Sequence, residues 1–220
     1  WPYVGDDEHP FVVFDFTLDR KRTGPVKFLQ GFKGFLQLDA FAGYDEVFKS
    51  PDVIEVACNA HARRKLLEAR ETAPKAIDVA IDIYRDLYAI EAKARGARLG
   101  EEELLALRQE KSVPLLDKLH AWLREQQPKF LPKEPLGVAV GYALNNWKAL
   151  RLYAGTGFLD IDNNISENAV RPVALGRKNW LFVGSPAGGW RASVFLSLLA
   201  TCKRHGVNPM EYLTDVLERV

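Results

Sequence analysis

Hydrophobic positions change their spacing once along the chain, near residue 60. Before that point they fall in short runs rich in β-branched and aromatic residues; after it they recur every three or four positions. Residues 11–18 (FVVFDFTL) form such a run and predict a strand. Residues 1–4 read as the tail of another strand. Residues 35–39 (FLQLD) predict a further strand that ends in a carboxylate, and 53–58 (VIEVAC) one more. Gly24-Pro25 opens a short helix between them. Strands and a helix at this spacing belong to an α/β sheet.

From residue 61 the period is helical. Ile77, Ile81, Tyr84 and Tyr88 share one helix face, and Leu115, Leu116, Leu119, Trp122 and Leu123 stripe another. Residues 101–109 read as a charged helix, and Pro128, Pro132 and Pro135 mark a linker. A helix from about 136 to 153 is stopped by Gly155 and Gly157. Residues 71–155 therefore read as an all-helical insertion between a sheet portion (1–70) and a later helix. Their leucine and aromatic stripes are assigned to core, with no chemistry. Residues 156–190 carry the next helix with a basic and Gly-rich segment, and 191–220 a closing helical appendage. There Asn208-Pro209 caps an amphipathic helix bearing Tyr212, Leu213, Val216 and Leu217.

Composition is that of an ordinary globular chain: 47% hydrophobic, 27% charged, net charge +1. With no bulk charge, attraction to a polyanion must come from local patches. No apolar run reaches the ~20 residues of a membrane span, and WPYVGDDEHP lacks the features of a signal peptide. Two cysteines, Cys58 and Cys202, make no disulfide framework and suit a reducing cytosol. The chain is expected to be cytoplasmic, with no membrane partner.

Charge is distributed unevenly. Asp160, Asp162, Asn163 and Asn164 are helix-capping residue types, and Glu167 follows in the first turn, where the helix dipole favours an ionised carboxylate. From Asn168 to Met210 there is no acid, whereas Arg171, Arg177, Lys178, Arg191, Lys203 and Arg204 are all cations. A single first-turn Glu beside a solvated basic face is a common surface. Asn163, Asn164 and Arg171 add polar groups around this one. Trp180, Leu181 and Phe182 follow the cations and read first as core, second as base-stacking groups. Ser185-Pro-Ala-Gly-Gly189 is a Gly-rich loop whose backbone can approach a phosphate, a weak signal by itself.

Asp39 repeats the pattern. Residues 20–38 hold Arg20, Lys21, Arg22, Lys27 and Lys33 and no acid, and Asp39 closes a strand, where open α/β sheets place functional groups. Alone it reads as a strand-end Asp accepting turn hydrogen bonds. Together the two acids suggest phosphoryl transfer. Carboxylates hold a hard cation, Mg²⁺ or Mn²⁺, while basic residues track a nucleic-acid backbone.

LQLDAFAGY, ACNAHARRK and IDNNISENAVRPVALGRKNWLFVGS resemble the transposase of the insertion-sequence-66 family, as does the closing HGVNPMEYLTDVLERV. The resemblance runs from about Phe32 to the end. It implies a bacterial DDE recombinase with an RNase H-like mixed sheet flanked by helices, and a helical insertion before the last catalytic helix. Asp39 is then the second catalytic and metal-binding carboxylate of the triad and Glu167 the third. DNA, as transposon ends and target, is the implied partner, bound as a homo-oligomer with accessory transposition proteins possible. The DNA-contacting candidates are Arg171, Arg177, Lys178, Asn163, Asn164, Arg63, Arg64 and Lys65. Arg63, Arg64 and Lys65 read equally as an exposed helix face. Cys58-x-x-His61 has no second pair nearby to complete a zinc site and is assigned a buried scaffold role. The chain departs from the family pattern at Asn59 (usually Trp), Asn168 (usually Arg), Pro186 and Trp190.

The first Asp of the triad has no candidate that fits. Only 23 residues separate Asp15 from Asp39, too few for two further strands and a helix. It is expected on the third strand, with the first Asp upstream of Trp1. The leading expectation is a transposase catalytic core that cuts and joins DNA, incomplete in these residues. The rivals are a non-catalytic DNA-binding or assembly module descended from one, and a structure-selective nuclease of the same fold.

Overall fold

The computed structural model describes residues 1–180 and 183–219, Trp180 in its backbone alone. Leu181, Phe182 and the Trp180 side chain, read above as core or stacking groups, lie outside the described residues. In chain order the elements are β1 (Pro2–Val4), β2 (Val12–Phe14), α1 (Thr23–Phe28), β3 (Gly34–Leu38), β4 (Val53–Ala57), α2 (Asn59–Glu68), α3 (Pro74–Ala97), α4 (Glu101–Leu107), α5 (Val113–Gln126), α6 (Pro135–Asn145), α7 (Trp147–Arg151), α8 (Asn164–Trp180), α9 (Pro186–Arg204) and α10 (Pro209–Glu218). The chain is α/β and mostly helical. Where the sequence predicts one mixed sheet, the described residues form two separate pairs: β1 antiparallel to β2, and β3 parallel to β4. The pairs belong to different compact units.

One unit comprises Trp1–Phe32, Ala42–Ser50 and the residues from Asn164 onward. In it, β2 covers only part of the predicted 11–18 run. Past Phe14, Asp15 still exchanges main-chain bonds with Trp1 (2.8 and 2.7 Å), and the chain then turns: the Thr17 hydroxyl donates to the Asp19 carbonyl (2.6 Å), and Asp19 Oδ1 accepts from the Lys21 N–H (3.0 Å). The outer edge of β2 is closed by a helix. The Val12 N–H donates to Thr201 Oγ1 (3.0 Å) and the Phe14 N–H to Ser197 Oγ (2.8 Å), both on α9. An edge strand that would otherwise offer open donors to another chain is thus satisfied by hydroxyls. Asn208 caps α10 by accepting from the Met210 N–H (2.9 Å), as its sequence pattern predicts.

The second unit comprises Lys33–Phe41 and Pro51–Asn163. β3 and β4 pair in register from Gly34 with Val53 to Leu38 with Ala57. Val56 from this pair is fully buried among Leu66, Ile77, Tyr84, Leu116, Leu123 and Leu150. Each such side chain contributes about 1.5–3 kcal/mol through burial, so the helical stripes are core, as their spacing predicts.

Two departures from the predicted helices have local causes. The helix predicted over 136–153 breaks at Asn146, where the backbone leaves helical geometry (φ −100°, ψ 12°) and the side-chain amide and the N–H both donate to the Tyr142 carbonyl (2.8 and 3.1 Å). Between α4 and α5 the chain widens into a π-helical turn, Arg108–Ser112, just before Pro114. Proline has no N–H for an unbroken α-helix. The turn carries Arg108 into the core, where its guanidinium bonds both oxygens of Glu91 (2.9 and 2.7 Å) and the carbonyls of Tyr153 (3.1 Å) and Thr156 (2.8 Å). Arg108 and Glu91 are 1% and 3% exposed. A buried pair is tolerated only when its remaining donors are met in this way.

Candidate functional site

Asp39 follows the last residue of β3, at the carboxyl end of a parallel strand, and is exposed. Just before it, the Leu38 carbonyl accepts from the Cys58 N–H (3.0 Å). The carbonyl of Asp39 itself accepts from the Tyr142 hydroxyl of α6 (2.9 Å). Ala40 then turns into the left-handed region at φ 58°, a conformation that costs a residue bearing a Cβ about 1–2 kcal/mol. Lys65 Nζ lies over the Tyr142 ring, 4.9 Å from its centroid. Burial, and after it the charge of Asp39, pushes the Tyr142 hydroxyl up to about 12. It is a proton donor at neutral pH.

The loop before α8 is pinned by the start of α2. Cys58 is completely buried, and its sulfur accepts from the Asn163 N–H (3.4 Å). Burial raises the thiol above its ordinary range, so Cys58 is a neutral acceptor. Asn59, 1% exposed, donates its side-chain amide to the carbonyls of Leu150 (2.9 Å) and Ile161 (3.2 Å). Its own N–H reaches Ile161 as well (3.1 Å). Tyr88 donates to Asp162 Oδ2 (2.8 Å), and Gln37 to the Asp160 carbonyl (2.7 Å). Asn59 appeared in the sequence only as a departure from the family pattern. A polar residue directly after an apolar strand was the available signal for its role. His61 lies half-buried in the first turn of α2, with Arg63 and Lys65 also half-buried and Arg64 exposed. Among the described residues no group of three or more His, Cys, Asp or Glu side chains is arranged to hold a metal ion.

Glu167 sits in the first turn of α8, half-buried, and lines an open groove of about 460 Å³ with Asn164, Asn168, Val170, Arg171 and Ala174. The i, i+4 spacing of Glu167 and Arg171 thus brings both to one surface, as the sequence predicts. Pro172 lies inside the helix and cannot return a hydrogen bond to the carbonyl of Asn168. Arg177 and Lys178 occupy the last turn, exposed. Asn163 belongs to the pinned loop, and Asn164 begins the helix.

The Gly-rich loop has a structural use. Ser185 caps α9 by accepting from the Gly188 N–H (3.1 Å). A Cβ at Gly189 would collide with the Phe16 ring. The glycine is therefore required for helix–chain packing, which accounts for it without a phosphate.

The family model described as "Transposase IS66 family" matches residues 1–191, and that described as "IS66 C-terminal element" matches 197–220. The uncharacterized protein y4hP of Sinorhizobium fredii (strain NBRC 101917 / NGR234) is 34% identical over 243 residues, covering 100% of this chain and 44% of the relative. From the same organism, the uncharacterized proteins y4qI and y4jD are each 32% identical, over 100% and 96% of this chain and 43% and 42% of their own lengths. The chain spans less than half the length of these relatives. No solved structure matches it significantly.

Proposed function

The chain belongs to the transposase IS66 family, and from that premise we propose that it is part of the catalytic core of a DDE transposase, cutting and joining DNA strands at transposon ends. The observation that carries the reading is where the family motif falls: one acid at the carboxyl end of a parallel strand, the other in the first turn of a helix rich in cations. The architecture is proposed to be RNase H-like, a mixed-sheet fold to which antiparallel and parallel pairs both belong.

Asp39 and Glu167 are proposed to hold Mg²⁺ or Mn²⁺. Their oxygens suit a hard cation, and neither carboxylate is fully buried. The cation that these carboxylates would hold would supply activation of the attacking hydroxyl and neutralisation of charge on the leaving oxygen. Asp39 and Glu167 would supply two of the three carboxylates that the family resemblance implies. Arg171, Arg177 and Lys178, with Arg63, Arg64 and Lys65, are proposed to neutralise backbone phosphates and set the DNA's register without reading its sequence. Asn164, exposed beside Glu167, adds a hydrogen-bonding contact, with Asn163 next to it. The proposed setting is cytoplasmic, with homo-oligomers assembled on the DNA and accessory proteins of the same element.

Mn²⁺ binding to the intact protein tests the assignment. Asp39→Asn and Glu167→Gln should each weaken the same cation site by tenfold or more, because a shared cation loses a ligand either way. Two sites that respond independently, or a site indifferent to both substitutions, would remove the pair from the metal.

A further inference from the structure

Tyr142 belongs to the helical segment to which the sequence assigns no chemistry, yet its hydroxyl reaches across 103 positions to the main chain of Asp39. The bond falls at a demanding point. Asp39 precedes Ala40, which holds a left-handed conformation that alanine rarely adopts. Left to itself, a chain at Ala40 returns to negative φ and turns the peptide that joins it to Asp39. The hydroxyl bonds the carbonyl of that peptide. The ring carrying the hydroxyl is itself held, with Lys65 Nζ on its face.

We propose that Tyr142 is a positioning residue for Asp39: its bond to the Asp39 carbonyl maintains the left-handed turn at Ala40 and so sets the direction of the Asp39 carboxylate. The inference rests on the proposed role of Asp39. It gives the helical segment a part in the chemistry and joins Lys65 to that part through the ring. Tyr142 need not touch DNA or a cation to act in this way.

The test is Tyr142→Phe in the intact transposase, alone and combined with Ala40→Gly. Removing the hydroxyl should lower the rate of metal-dependent strand cleavage by about tenfold, the upper range for one neutral hydrogen bond. DNA affinity should stay at its wild-type value, and Tm should fall by no more than the few degrees that one hydrogen bond contributes. Amide hydrogen exchange at Ala40 and Phe41 should accelerate, a readout that needs neither DNA nor a cation. Glycine adopts positive φ without strain, so Ala40→Gly should restore part of the rate lost in Tyr142→Phe. Unchanged exchange and cleavage in Tyr142→Phe would overturn the proposal, as would a parallel loss of Tm, DNA affinity and cleavage, which marks a general structural contact. Cleavage that survives Asp39→Asn would overturn it through the reading beneath it, while accelerated exchange in Tyr142→Phe would still identify the contact as real.

Discussion

Single residues with polar side chains in apolar surroundings do much of the fixing in this molecule. Arg108 is the clearest. Its guanidinium is buried against Glu91 and two carbonyls, so Arg108→Ala should cost about 3–5 kcal/mol, because Glu91 is left charged and unpaired. Replacing both residues by Met and Leu should recover most of that loss, read as denaturant midpoints. A double variant no more stable than Arg108→Ala would contradict the pairing. Cys58 makes a second prediction. Burial raises its thiol, and Cys202 is also buried. Neither should react with a thiol reagent at neutral pH until the protein unfolds, when both should react. These roles were not legible in the sequence. Asn59, Arg108 and Tyr142 act on partners between 17 and 103 positions away, and no local period records a contact of that kind.

At the scale of elements, legibility follows from how local the cause is. The β3 run, the aliphatic stripes of α3 and α5, and the Asn208 cap of α10 are all set within a few residues, and the sequence predicts each of them. The turn after β2 is closed by side-chain hydrogen bonds of Thr17 and Asp19, and the break after α6 falls at Asn146, whose side chain and N–H share one carbonyl. Hydroxyls of α9 close the edge of β2. Ser197→Ala with Thr201→Val should therefore leave two strand donors open and increase self-association, measurable by sedimentation. Continued monodispersity would show that other groups cover that edge. The exposed cations of α8 carry a different prediction. Replacing Arg171, Arg177 and Lys178 by Ala should flatten the salt dependence of DNA binding by roughly one unit of slope each. An unchanged slope would make them a solvated face.

For the whole molecule, the sequence pattern predicts α/β architecture and a large helical portion. The compact unit containing β3 and β4 also contains α2 to α7, and the other takes its residues from three separated segments. The reason is physical: the helical stripes bury their apolar faces on Val56 and Ala57 of β4, a choice of partner that periodicity does not encode. The relatives are more than twice as long as this chain, so the activity proposed is that of a larger protein of which these residues form part.

The most direct test of the proposed function is a cleavage assay on DNA carrying the element's ends, in Mg²⁺ or Mn²⁺, with three proteins side by side. Residues 1–220 should bind this DNA and leave it uncut. A chain extended to the length of its relatives should cut it, and Glu167→Gln in that longer chain should abolish cutting while DNA binding and Tm are kept. Metal-dependent cutting by residues 1–220 that disappears on mutating Asp15, or an extended chain that binds the ends and never cuts them, would contradict the account.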